Sequence, residues 1–244
     1  MGFLVPVLLG FSFLTPNPVG GQSLGGPEPP GWFAGDPHMH RGICCARANA
    51  KDMLSPQELL EGMNTNDLAV ISVLGDIGNG ESKYVERDIP LVTGDDNPAS
   101  TPSRILHWDG EVDWDPVGYT VDNKALIGAH LVLLGLKHAR RMYAEYTYPI
   151  IRWATEQGAI AGFAHMQYLP FGFYPPPDGI PTSLDCCAAL EYPVEVALGS
   201  VSFISEDVHG SDSALQAYYR LLNTGFRPGL AAGTDYPCNY LAVS

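Results

Sequence analysis

Ala159-Ile-Ala-Gly-Phe-Ala-His165 reads as a short buried strand that delivers a histidine at its C-terminal end. The apolar run has strand length, and Gly158 in front of it stops a long helical pattern running from about Ala139 to Gln157. Working outward, the segment before that helix, His130-Leu-Val-Leu-Leu-Gly-Leu136, has the same strand character. So does Leu68-Ala-Val-Ile-Ser-Val-Leu74, closed by the turn-rich Gly75 to Gly80. A helix precedes it: Ser55 can cap, Pro56 suits the first turn, Glu58 completes a capping box, and the end falls near Asn66. Downstream, a helix from about Asp212 to Asn223, with Ser211 as a cap and Gly225 as its stop, leads to the strand Leu230-Ala-Ala-Gly233 and then to Asp235. Residues 81 to 104 and Leu169 to Pro181 read as loops. Strands alternating with helices predict a βα-repeating α/β fold, in which reactive groups gather at the C-terminal ends of the strands.

The length of 244 residues accommodates one such domain. A net charge of -14 would repel polyphosphate backbones, so nucleic acid is not expected as a partner and a small-molecule substrate is. With 27 Gly, 21 Pro and only 16% charged residues, a loop-rich packed domain is expected, its chemistry carried on loops.

Residues 1–30 form an apolar and Pro/Gly-rich leader or linker, and residues 31–244 the domain proper. The apolar run Phe3 to Leu14 is too short to span a bilayer, and no Lys or Arg precedes Arg41 to supply the positive start of a signal peptide. Export to a periplasmic or extracellular space, a cytoplasmic location, and a strand left from an upstream domain stay open as readings. The cysteines, Cys44-Cys45, Cys186-Cys187 and Cys238, lack zinc-ribbon spacing. Buried small hydrophobes or one or two disulfides are expected of them, and not metal ligation.

Gly35-Asp-Pro-His-Met-His-Arg41 carries the strongest chemical signal. Side chains two apart on an extended segment point the same way, so His38 and His40 can bind one ion together. Two histidines on the outer face of a strand would read identically; the other histidines decide between the two. His130 and His165 also lie on or beside apolar strands that a barrel would gather around one axis. Neutral imidazoles suit Zn, Mn or Fe, and Glu111 and Asp235 are the candidate carboxylates to bridge ions and offset their charge.

In order along the chain, Gly-Asp-Pro-His-Met-His, Gly110-Glu111, Ala129-His-Leu-Val-Leu-Leu-Gly135, Phe163-Ala-His165 and Leu221 to Asp235 resemble the PHP metallohydrolases, and more narrowly their carbaryl-hydrolase-like branch. The resemblance spans about residues 31 to 240. It implies a distorted (β/α)7 TIM-like barrel of the PHP type, and since such proteins usually continue past the last ligand segment, a barrel truncated at its C-terminus stays open as a reading. It implies that His38, His40 and Asp235 hold one divalent ion. Glu111 would bridge to a second held by His130 and His165, the ions being Zn, with Mn or Fe as alternatives, and a hydroxide between them acting as nucleophile. Where many members carry Thr-Asp-His, this chain has Gly75-Asp-Ile77, and Asp235 is followed by Tyr236-Pro237 and no nearby His. Both departures fall on residues that hold a third ion, which favours two.

Beyond the ligands, Glu111, His209 and Arg41 are the candidate catalytic residues. His209 lies in the polar Glu206-Asp-Val-His-Gly210, suited to reach a substrate or carry a proton, though an ordinary surface histidine reads the same. Arg41 and Arg227 can orient a carbonyl or carboxylate, or pair with structural acids. Glu191 is expected to orient a ligating imidazole. His107 and His138 are expected to be structural or surface residues. The function expected is a binuclear, metal-dependent hydrolase cleaving an ester, amide or carbamate. The alternatives are a PHP-type phosphoesterase, a catalytically silent metal-binding barrel module, and a structural module of a larger secreted protein.

Overall fold

The computed structural model of the chain describes residues 30–41, 53–78, 85–114, 129–142, 147–164, 191–205 and 212–236. The leader 1–29 and all five cysteines lie outside them. Seven strands, β1 (Gly35–Met39), β2 (Val70–Asp76), β3 (Ile105–Trp114), β4 (Ala129–Leu134), β5 (Ile160–Phe163), β6 (Phe203–Ser205) and β7 (Gly229–Ala231), form one sheet in chain order. Interspersed are helices α1 (Pro56–Thr65), α2 (Val85–Asp88, followed by a 3-10 turn at Ile89–Leu91), α3 (Thr147–Thr155), α4 (Tyr192–Leu198) and α5 (Asp212–Asn223).

The expected (β/α)7 barrel is not what forms. All neighbouring pairs are parallel except β3 with β4 and β4 with β5, so β4 alone runs against the rest and the sheet is mixed. The register gives the reason. Trp114, the last residue of β3, pairs with Ala129, the first of β4, and Gly110 with Leu133, an antiparallel register that needs no crossover to the far edge. The sheet is curled: past β7, Asp235 N donates to His38 O at 2.8 Å and His40 N to Tyr236 O at 2.7 Å, bringing that segment against the end of β1.

The predicted helix from Ala139 also needs correction, since residues 139–142 are not helical and α3 spans Thr147–Thr155. The backbone N–H groups ahead of it have tertiary partners: Lys137 N and His138 N donate to Gln157 Oε1, both at 3.1 Å, and Met142 N to Ile77 O at 2.8 Å. Of these, the Met142 N–H is the one that would close the first turn of a helix starting at Ala139, and it is committed to Ile77 instead. α1 forms as expected, with Ser55 and Glu58 capping one another reciprocally. α5 also matches its expected span.

Alternation along the strands sorts residues onto two faces. One face carries Ile71 and Val73 of β2, Leu106, Trp108 and Val112 of β3, Leu131 and Leu133 of β4, and Phe163 of β5. It packs against Leu59, Leu60 and Met63 of α1 and Ile150, Ile151 and Ala154 of α3 as the main core. The other face carries a smaller cluster, Leu74, Val132, Ala164, Phe203 and Ala231, drawn from strands at both ends of the strand order and so lying inside the curl. Gly162 faces this cluster, and a Cβ there would sit 2.3 Å from ring carbons of Phe203.

Two residues beyond three of these inner apolar positions comes a polar one: Asp76 after Leu74 and Ser205 after Phe203, with His130 two before Val132 because β4 is reversed. Asp76, His130 and Ser205 are all buried. The inner apolar cluster is therefore the floor of a polar layer.

Candidate metal centre

Four segments bring donors into that layer. His38 and His40 lie at the end of β1, Glu111 near the end of β3, His130 near the start of β4, and Asp235 in the turn after β7. All five are buried. A strand start meets strand ends here only because β4 is antiparallel: His130 pairs with Asp113, two residues past Glu111.

His38 Nε2 and His40 Nε2 are 3.3 Å apart. Glu111 Oε2 lies 3.5 Å from the first and 3.0 Å from the second. Asp235 Oδ1 lies 3.4 Å and 3.3 Å from the same two nitrogens. Glu111 turns its other oxygen to His130, with Oε1 and Nδ1 3.0 Å apart. A tetrahedral zinc ion with ligands at about 2.0–2.2 Å separates those ligands by roughly 3.3–3.5 Å. The His38–His40–Glu111 triangle, with edges from 3.0 to 3.5 Å, has the size of one face of that tetrahedron. This buried His-His-Glu group can hold a metal ion.

His40 is oriented for the task. Its Nδ1 lies 3.1 Å from Leu74 O, a carbonyl that can only accept, so in the neutral ring the proton sits on Nδ1 and Nε2 keeps its lone pair for the ion. Burial pulls the His40 imidazole down, but hydrogen bonds with Asp235 and Glu111, and their negative charge, outweigh it and raise the group to about 10. In the metal-free protein a proton thus takes the place between the carboxylates. Among the described residues no Lys or Arg is buried, so positive charge in this layer comes from imidazolium or from a bound cation.

Two acids not singled out in the sequence belong to this layer. Asp36 Oδ1 accepts from His38 N at 3.1 Å and Thr234 N at 3.2 Å, and its Oδ2 accepts from Thr234 Oγ1 at 2.6 Å. Burial pushes its carboxyl up to about 6 despite those hydrogen bonds. An irregularity in β1 between Asp36 and Met39 puts Asp36 in register with Ile71, so the two-residue spacing of the histidines does not reach back to it. Asp76 is buried and pairs in register with Glu111 across β2 and β3. It ends an apolar run, the position at which His165 and Asp235 were recognised.

Other expected roles resolve differently. His165 and His209 lie outside the described residues. Arg41 is held by Asp88, to which its Nε donates at 2.9 Å and its Nη2 also donates, and its guanidinium lies 5.4 Å from the Trp108 ring centroid. Arg227 is exposed and caps the carbonyls of Leu222 and Phe226. Glu191 accepts from Thr147 N at 2.6 Å and from Thr147 Oγ1, so it satisfies the first turn of α3 in place of an imidazole. His107 pairs with Asp96 at 3.0 Å, and His138 packs edge-on against Trp153, both structural as expected. No helix among the described residues is long and apolar enough to cross a membrane.

In comparisons with known proteins, no family matches the chain and no curated protein matches it at a significant level.

Proposed function

We propose that this chain is a metal-dependent hydrolase acting on a carbonyl substrate, an ester, amide or carbamate, through a two-ion centre in the polar layer. The observation that carries the reading is the buried set of His38, His40 and Glu111 donors spaced 3.0 to 3.5 Å apart, with Asp235 at the same distances from both histidines. Two ions are favoured over one because Glu111 presents one oxygen to His40 and the other to His130. The imidazole and carboxylate donors suit Zn, Mn or Fe. Divalent ions held there would polarise a substrate carbonyl and lower the pKa of water.

The protein's own groups supply the rest. The inner floor of Leu74, Val132 and Phe203 keeps water from beneath the donors, which strengthens every electrostatic interaction above it. The carbonyl preference rests on the arginines: Arg41 is engaged by Asp88 and Trp108, and Arg227 binds backbone carbonyls. Neither is placed to gather around three phosphoryl oxygens, and a net charge of -14 adds repulsion. The resemblance to PHP metallohydrolases agrees with this chemistry, although the reading does not depend on a barrel. A side-by-side assay of nitrophenyl acetate, an aryl carbamate and nitrophenyl phosphate with zinc- or manganese-loaded protein tests it. Turnover of a carbonyl substrate with the higher kcat/KM is expected; a much higher value for the phosphate ester overturns the bond assignment, and no turnover of any favours a silent metal-binding module.

A further inference from the structure

We propose that Asp36 and Thr234 are positioning residues that hold Asp235 in ligand geometry by locking the turn after β7 onto β1. The inference rests on the metal-binding reading above and adds a mechanism for how a strained residue is kept at the centre. Asp235 is not glycine, yet its φ is 48°, in the left-handed region that residues other than glycine enter uncommonly. Such a conformation persists only where its surroundings over-determine it.

The surroundings do so from both sides. Before Asp235, Thr234 donates its N–H to Asp36 Oδ1 at 3.2 Å and its hydroxyl to Asp36 Oδ2 at 2.6 Å. After it, Tyr236 N donates to Thr234 Oγ1 at 3.2 Å, and Tyr236 O accepts from His40 N at 2.7 Å. Asp235 itself donates its N–H to His38 O at 2.8 Å. The Thr234 hydroxyl is thus the hub, giving one hydrogen bond to β1 and receiving one from across the turn. Asp36 also accepts from His38 N at 3.1 Å, so one carboxylate orders the backbone under a histidine donor and under the Asp235 turn. The result is Asp235 Oδ1 at 3.3 to 3.4 Å from both histidine nitrogens.

The test measures zinc affinity of metal-stripped full-length protein by competition with a chromophoric chelator, alongside circular dichroism, for the unmodified chain, Thr234→Val, Thr234→Ser and Asp36→Asn. Thr234→Val keeps shape and removes the hub, and is expected to weaken zinc binding about 10–100-fold, the range typical of partners that orient ligands. Thr234→Ser, which retains the hydroxyl, is expected to bind within about threefold of the unmodified protein, and Asp36→Asn to weaken binding in the same sense as Thr234→Val. Cobalt substituted for zinc gives a second readout, since a displaced Asp235 changes the ligand field and hence the visible absorption, which a loss of fold stability alone would not. Folded Thr234→Val and Asp36→Asn that bind zinc as tightly as the unmodified protein, with an unchanged cobalt spectrum, overturn the proposal. If Thr234→Val does not fold, Asp36→Asn against Thr234→Ser decides in the same way. Failure of the unmodified protein to bind zinc would instead sink the metal reading itself.

Discussion

Glu111 joins two histidines from different strands, with Oε2 3.0 Å from His40 Nε2 and Oε1 3.0 Å from His130 Nδ1. One carboxylate therefore ties β1 to β4 through β3. Glu111→Gln keeps the shape but makes one of those positions an amide nitrogen, which cannot ligate. Metal affinity is expected to fall by at least about 100-fold, beyond what loss of a merely orienting partner costs. Combined with His40→Ala, the loss should be far from additive, because both substitutions dismantle one site. Metal content and turnover of the single and double variants check this, and additive effects would separate the two residues.

Metal binding should be strongly pH-dependent. The free His40 group is raised to about 10, so at neutral pH an ion must displace a proton from it. Apparent affinity is expected to drop about tenfold for each pH unit lowered between roughly pH 8 and 6. Calorimetric titrations in buffers of different ionisation enthalpy should show at least one proton released per ion. A flat profile with no proton release would mean that His40 is not a ligand.

Much of the site and rather less of the fold was legible in the sequence, for physical reasons visible in single elements. Short-range signals held: the Ser55–Glu58 capping box starts α1, and the two-residue spacing puts His38 and His40 together. Long-range pairing left no local mark, so nothing in Ala129 to Leu134 announced that β4 runs antiparallel. β3 escaped notice because its inner face carries His107, Asp109 and Glu111, and the polarity hid the alternating Leu106, Trp108 and Val112 of a half-buried strand. The helical pattern from Ala139 does not form over Ala139 to Met142 because the Met142 N–H, which would close its first turn, is given to Ile77 O.

Asp36 should leave its own signature on stability. Its folded value, about 6, exceeds the ordinary 3.8, so the native state holds this proton more tightly. The stability it contributes is complete below about pH 3.8 and is lost as pH rises through about 6, a change of roughly 3 kcal/mol at about 1.4 kcal/mol per unit. Urea unfolding of metal-stripped protein between pH 4 and 6 should show that fall, and Asp36→Asn should lack it. Parallel pH profiles for the two proteins would remove Asp36 from the account.

The floor of the site is packed tightly enough to test. An alanine Cβ at Gly162 would lie 2.3 Å from Phe203 ring carbons, so Gly162→Ala must displace the ring or the strand. A loss of about 1–3 kcal/mol is expected, as for other overpacked cores, with recovery when Phe203→Leu is added. Thermal unfolding of the single and double variants measures it; an undiminished Tm for Gly162→Ala would place Phe203 elsewhere.

The most direct measurement of the central claim is zinc titration of the metal-stripped, folded protein beside its His38→Ala variant. At least one ion bound with sub-micromolar affinity, and two if Glu111 bridges, is expected for the unmodified chain, with the tight binding lost in the variant. A chain that stays folded yet binds no zinc or manganese in excess, or whose binding survives His38→Ala unchanged, would contradict the assignment of this buried layer as a metal centre.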